Sequence, residues 1–364
     1  MPAEPIHMRL TRPDGGVSRA EGFRHVAGAT GAPAGPYDVD IIVLALNRAE
    51  ETLDAIASAL AQTGCGVHLF VLDQGSAPET LARFAQAVAG RQDATLVAST
   101  RNLGVAGGRN LASALGHGRI IIGLDNDAVF ADPGMAALAL AAFEASMDLG
   151  AIGFRILAHD TGEEDLSSWG YPDRLLAQAG GAFDAVTFVG AGHAIRRAAW
   201  EDAGFYDAAL FFCWEEYDFC LRAIEAGWRI RYQGNIVVRH HVAREARVSW
   251  NGARWFYFIR NRLYIGHKTG ASHLALAARF GVYLLRGLRQ GALAQTLRAL
   301  PAFLRLAANA PRHTLSAATL AYLRRNDTNH RGGGLARLRA EFGARALSKA
   351  PPPPPRAGIL AWRR

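Results

Sequence analysis

The sequence predicts an α/β protein with a mostly parallel sheet, followed by a basic α-helical C-terminal region, and three observations carry that prediction. Between residues 39 and 124, short apolar runs alternate with amphipathic runs of helical spacing. Each apolar run ends in a polar cluster. Beyond about residue 247 the acids almost vanish while arginine and leucine persist. Regular βα alternation implies parallel strands covered on both faces, with ligands held beyond the carboxyl ends of the strands.

Taken in order, Val39 to Leu46 reads as a strand, Glu50 to Gln62 as an amphipathic helix, Val67 to Leu72 as a strand and Pro78 to Ala89 as a helix. Thr95 to Ala98 follows as a strand, Val105 to Leu115 as a helix, and Arg119 to Leu124 as the strand that delivers Asp125 and Asp127. The polar endings are Asn47-Arg48, Asp73-Gln74-Gly75-Ser76, Arg101-Asn102 and Asp125-Asn126-Asp127. Taken singly, Asp, Asn and Gly are ordinary turn and cap residues. Four such endings at one edge of a sheet point to a ligand.

The Asp-x-Asp suits a divalent cation such as Mg2+ or Mn2+, which wants oxygen ligands, keeps several waters and accepts one or two carboxylates plus substrate phosphates. Skipping one residue lets both side chains face one ligand as the chain leaves the sheet. The loop Asn102 to Asn110, NLGVAGGRN, adds small residues and a helix start able to approach a nucleotide closely. The chain has no Walker lysine motif and no Gly-x-Gly-x-x-Gly after the first strand, which excludes P-loop and dinucleotide chemistry.

Composition bounds the rest. A chain of 364 residues, half of them apolar, can bury a large core. Cys65, Cys213 and Cys220 have no metal-finger spacing and are too few for a disulfide framework, so a reducing, cytoplasmic setting is expected. Residues 1–36, rich in Gly, Pro and Arg, read as a flexible leader. No stretch reaches the ~20 nearly uncharged apolar residues of a membrane span.

Residues 247–364 hold 21 Lys and Arg against two acids, a net +19, which leaves −11 for residues 1–246 of the total of +8. An acidic first part disfavours nucleic acid as a partner, and the cationic, apolar-rich second part suits an anionic membrane face. Arg279, Arg286, Arg289, Arg298 and Arg305 are interspersed at helical spacing without an acid, the pattern of amphipathic helices on a membrane surface or of a helical subdomain with a basic outer face. Residues 271–330 are therefore read as a basic amphipathic helical region, and residues 331–364, which include the run Pro351 to Pro355, as a disordered tail.

From Val39 to about Gly270 the chain resembles a glycosyltransferase of family 2 with the GT-A fold, in the rhamnosyltransferase-like, polysaccharide-type branch. The motifs that carry the resemblance are IIVLALNR, VLDQGS, NLGVAGGRN, GLDNDAVF, GAGHAIRR and FYDAALFFCWEEYDFCLRAIEAGW, closing with VVRHH and FIRNRLYI. The resemblance implies a GT-A catalytic domain over residues 37–270, with a Rossmann-like nucleotide-diphospho-sugar transferase sheet. It further implies a nucleotide-sugar donor, a divalent metal and an inverting transfer to a hydroxyl of a glycan or lipid-linked acceptor; with the basic C-terminal region, peripheral attachment on the inner face of the plasma membrane is expected.

By the same resemblance Asp73 contacts the nucleoside, the backbone near Leu46 and Asn47 lines that pocket, and Asn102 and Arg109 are further donor-pocket candidates. Asp127 is the metal contact, Asp125 reaches the ribose or the metal, and His240, with His241 beside it, is the third protein ligand. The family usually reads Glu-Asp-x-Asp where this chain has Glu215-Glu216-Tyr217-Asp218, with the general base in second place, so Glu216 is the expected base and Glu215 the runner-up. Asp218 completes the acidic set and stands four residues before Arg222, the spacing of a same-face ion pair. Trp214 and Tyr217 read as acceptor-stacking or core aromatics. Two other readings share parts of this pattern: a sugar nucleotidyltransferase, and a non-catalytic membrane-associated scaffold on a decayed transferase domain.

Overall fold

The computed structural model describes residues 23–241 and 252–333. Strand β1 (Phe23–Gly28) comes first, then β2 (Val39–Ala45), α1 (Ala49–Leu60), β3 (Val67–Asp73), α2 (Pro78–Val88), β4 (Ala94–Ser99), α3 (Gly104–Ala114) and β5 (Ile120–Asp125). The second part of the sheet region has β6 (Ala128–Phe130), α4 (Met135–Glu144), β7 (Leu149–Ala158), β8 (Ala182–Ala185), β9 (Gly192–Arg196), α5 (Arg197–Asp202), α6 (Glu215–Glu225) and β10 (Arg229–His240). Four helices close the described chain: α7 (Ala253–Lys268), α8 (His273–Arg289), α9 (Leu293–Ala307) and α10 (Ala317–Asn326).

The strands form one sheet in the order β1-β4-β3-β2-β5-β9-β7-β10-β6, with β8 also on β10. Its centre, β4-β3-β2-β5, is parallel. The sheet becomes mixed where β9 runs antiparallel between β5 and β7. The central strands are continuous apolar runs because helices cover both of their faces. One core gathers Ile41, Val43, Leu69, Val71 and Ile122 with α1, α2 and α4. The other gathers Ile42, Leu72 and Ile121 with α3, α5 and α6. Helix α1 shows the logic locally: Thr52, Ala55, Ile56 and Ala59 recur at helical spacing and are the residues it buries.

One expectation meets a different outcome here. The expected leader contains β1, which pairs antiparallel with β4, Phe23 opposite Ser99, and buries the Phe23 side chain. A short edge strand set among Gly and Pro gains its partners only from the sheet, so its local pattern is weak. Residues 1–22 and 334–364, and with them the proline run, lie outside the described residues. The helical region packs on the sheet domain, with Trp255, Ile259 and Leu263 of α7 meeting Leu276 and Tyr283 of α8, Phe303 of α9, and Leu210 and Leu221 beside the acidic segment. Among the described residues no helix is long and apolar enough to cross a membrane.

Candidate active site

The strand endings meet as the alternation requires. Asp73 on β3 pairs with Ala45 on β2, and Asp125 on β5 pairs with Leu44, so the two carboxylates flank the end of β2. Two strand spacings separate them, about 10 Å. Asp73 is buried, and its carboxylate accepts from the backbone N–H of Gly75 at 3.1 Å and of Ser76 at 3.2 Å. Asn47 and Arg48 both adopt the left-handed backbone region, with φ of 54° and 51°. Asn47 Oδ1 accepts from the N–H of Ala77 at 3.1 Å, which ties the β2 ending to the β3 ending. Beside Asp73 opens a cleft of ≈ 290 Å3 lined by Phe23, Arg24, Gly75, Ser76, Ser99 and Thr100. Phe23 and Arg24 come from the segment read as a leader.

The second cluster surrounds Asp127. One of its oxygens lies 3.2 Å from His240 Nε2 at the end of β10, and the other accepts from Arg48 Nη1 at 2.5 Å. His240 Nδ1 faces Asp165 at 3.1 Å, an arrangement that fixes the orientation of an imidazole whose other nitrogen meets a metal. Burial pushes the Asp127 carboxyl up, but the His240 ring and the Arg48 guanidinium outweigh it and hold the group below the usual carboxylate range. His241 stacks instead on His159, ring centroids 3.7 Å apart, so His240 is the histidine that meets Asp127. A carboxylate and an oriented imidazole form a hard and borderline donor pair that suits a cation such as Mn2+ better than the oxygen-seeking Mg2+, and Arg48 places competing positive charge on the same carboxylate.

Arg109 departs from its expected role. It is buried at 3% exposure, and its guanidinium donates to Asp125 at 2.7 Å and to the Gly190 carbonyl at 2.9 Å while lying 2.8 Å from His193 Nε2. An arginine enclosed this way holds Asp125 and is closed to a donor. The glycine-rich loop also differs from its reading. The N–H of Val105 at the start of α3 donates to the Phe211 carbonyl at 2.7 Å, and a Cβ on Gly104 (φ 72°) would overlap that same carbonyl. The small residues there admit backbone, and Asn102 Oδ1 accepts from the Gly104 N–H at 2.8 Å.

The acidic segment opens α6, where first-turn carboxylates gain from the helix dipole. Its three members sit differently. Asp218 is buried and ion-paired to Arg222 at 3.0 Å and to Lys268 of α7 at 2.7 Å. Glu215 is buried at 2%, with Oε2 lacking a hydrogen-bond partner, and burial followed by the Glu216 charge pushes its carboxyl well above the usual range. Glu216 is partly open to solvent. Burial raises it to about 7, against the pull of Arg109.

The turn before α6 is strained, with Phe211, Cys213 and Trp214 all at positive φ (61°, 71° and 73°) and none of them glycine. Asn261 of α7 holds it. This fully buried amide lies 2.8–2.9 Å from the carbonyl oxygens of Leu210, Phe212 and Cys213. Its neighbour Arg260 adds a bond to Leu210 O at 2.8 Å. Trp214 and Tyr217 lie under the Arg262 guanidinium, and Trp214 Nε1 donates to Phe258 O at 3.1 Å, so both rings pack on α7. Arg196 and Arg197 are also structural, bonded to the carbonyls of Leu149 and Gly118. Asp165, Gly190 and Asn261 were not singled out from the sequence. GAGHAIRR, which begins at Gly190, and FIRNRLYI around Asn261 offered a signal, and Asp165 had none.

Residues 40–204 match the family described as Glycosyl transferase family 2, in keeping with the motifs. The succinoglycan biosynthesis protein ExoO of Rhizobium meliloti (strain 1021) is 41% identical over 90 residues, which is 25% of this chain and 25% of that protein. Thus the match spans about a quarter of the length of the curated relative. The crystal structure of GalNAc-T7 with UDP, GalNAc and Mn2+ is similar in fold, with a TM-score of 0.53 and 12% identity over 81% of this chain and 57% of that one. A mannosyltransferase from Pyrobaculum calidifontis, in complex with GDP-Man and Mn2+, gives a TM-score of 0.48 and 18% identity over 88% of this chain and 84% of that one.

Proposed function

We propose that this chain, a family 2 glycosyltransferase over residues 40–204, moves a sugar from a nucleotide-diphosphate donor to a hydroxyl of a glycan or lipid-linked acceptor, inverting the anomeric centre. The observation that carries the reading is Glu216, a partly open carboxyl raised to about 7 beside the Arg109–Asp125 pair, with Asp127 and His240 at the same sheet edge. The fold shared with a structure that holds UDP, GalNAc and Mn2+, and the polysaccharide role in the name of the curated relative, are in line with it.

Asp73 and the neighbouring cleft would receive the nucleoside. Asp127 and His240, with Asp125, would hold a divalent cation, and Arg48 stands ready to move from Asp127 to the diphosphate. When bound, the cation supplies Lewis-acid neutralisation of the charge on the departing diphosphate. Glu216 takes the proton from the acceptor hydroxyl as it attacks the anomeric carbon from the opposite face. Glu215 is buried and its carboxyl is pushed well above the usual range, which leaves it less accessible to an acceptor than Glu216. Asp218, saturated by Arg222 and Lys268, positions the start of α6. The acid-free helices would keep the protein at an anionic membrane face, where a lipid-linked acceptor resides.

Product analysis tests the reaction class: free nucleoside diphosphate supports sugar transfer, whereas pyrophosphate would establish nucleotidyl transfer. The pH profile is a second check. A base must be deprotonated to act, so kcat/KM should rise through an apparent value of about 7 and level off above it. The stability effect has the opposite sign. Because the folded value lies above the ordinary 4.5, stabilisation from this group is full below about 4.5 and lost as pH rises through about 7. Glu216→Gln should therefore melt no lower than the wild type at about pH 8.

Gly190→Ala provides a third check. A Cβ there would overlap Glu216 Oε1, the movable end of a flexible side chain. The variant should fold normally yet lose at least about tenfold in kcat, because a small misplacement of a reacting group is costly. Unchanged kcat in Gly190→Ala would argue that Glu216 acts from another position.

A further inference from the structure

The outer faces of α8 and α9 are unusual for a soluble domain. On α8, Leu276, Tyr283 and Gly287 are buried inward, while Leu274 (80% exposed), Leu285 and Leu288 (63% exposed) stand on the opposite side. On α9, Thr296, Ala299 and Phe303 are buried, and Leu293, Leu297 and Leu304 are exposed. Single exposed leucines are ordinary, but six on two consecutive helices that pack on each other are a concentration of exposed apolar surface. Arg279, Arg298 and Arg305 are exposed on the same two helices, and residues 252–326 contain no Asp or Glu.

We propose that this leucine–arginine face docks the protein on an anionic lipid surface, with the leucines entering the acyl boundary and the arginines meeting headgroup phosphates. Apolar burial plus cationic attraction is the basis of interfacial helix binding. The long arginine stems can lie along the apolar surface while their guanidinium ends reach outward. A second copy of the chain is the poorer occupant, because a two-fold contact would set the same acid-free arginine faces against each other. The inference rests on the peripheral membrane reading above but is independent of the transfer chemistry.

The test is co-sedimentation of the full chain with phosphatidylcholine vesicles, with and without phosphatidylglycerol. Two variants accompany it: Leu285→Gln/Leu288→Gln/Leu297→Gln/Leu304→Gln and Arg279→Gln/Arg298→Gln/Arg305→Gln. All seven positions are exposed, so melting temperatures should stay near that of the wild type. The expected result is wild-type binding to the anionic vesicles only, weakened by salt, and reduced at least about tenfold by either variant.

Wild-type binding that both variants retain would overturn this surface while leaving the membrane reading in place. No binding by folded wild type would overturn both. Leucine-dependent self-association without vesicle binding would assign the face to a second copy and overturn the proposal. Glycosyl transfer to a water-soluble acceptor, measured in parallel, should be unchanged in both variants, which keeps failure of the surface distinct from failure of the chemistry.

Discussion

Glu216→Gln is expected to lower kcat by about 10²- to 10⁴-fold while leaving the affinity for the donor nucleotide unchanged. The amide has nearly the shape of the protonated acid, so packing against Gly190 is kept while the proton acceptor is lost. Glu215→Gln should cost far less. Its carboxyl is buried and lacks a partner at Oε2, and burial favours its neutral form, which the amide resembles. The informative experiment is therefore the pair of variants under saturating donor. If Glu215→Gln were the more damaging change, the base would be reassigned. Equal and small losses in both would place the base elsewhere, whereas no turnover by the folded wild type would favour the non-catalytic scaffold. Binding separates these outcomes from misfolding, because a folded Glu216→Gln protein still takes up donor nucleotide.

Asp127→Ala carries the second large effect. In the wild type, nucleotide diphosphate at about 100 times its dissociation constant should stabilise the fold by roughly 2.7 kcal/mol, with manganese required. Removing Asp127 takes away the one carboxylate shared by His240 and Arg48. The manganese-dependent part of the shift should disappear. Thermal melting against a panel of nucleotides and nucleotide sugars, with and without manganese, reads this directly and identifies the preferred base. His240→Ala should reproduce much of the loss, and Asp165→Asn a smaller part, because Asp165 only orients the ring. A nucleotide shift that persists in Asp127→Ala with unchanged manganese dependence would move the metal elsewhere.

The central strands were legible because each is a continuous apolar run closed by a polar ending, and covered parallel strands leave few other solutions. Asp73, Asp125, Asp127 and His240 were legible as motif positions, and the sheet brings them to one edge. What escaped the sequence depends on long-range packing. Asp165 meets His240 across 75 residues of chain, and nothing in its acidic, serine-rich surroundings marks it. Arg109 sits on α3 in a stretch whose glycines suggest a phosphate cradle, yet Gly104 lets the start of α3 approach the Phe211 carbonyl. β1 was hidden because an edge strand among Gly and Pro derives its conformation from the neighbour it pairs with.

The Asn261 amide gives the helical region a part in the chemistry. Glutamates 215 and 216 follow three left-handed residues that local sequence alone would not keep in that shape, and the amide that holds them belongs to α7, beyond the last strand. Asn261→Ala would leave the sheet, the cleft beside Asp73 and the Asp127–His240 pair in place. It would have the equipment to grip a donor without the means to aim the group that activates the acceptor. On the proposed reading, donor capture and transfer would be entrusted to different stretches of the chain, and Asn261→Ala should yield a protein that binds nucleotide and turns little over.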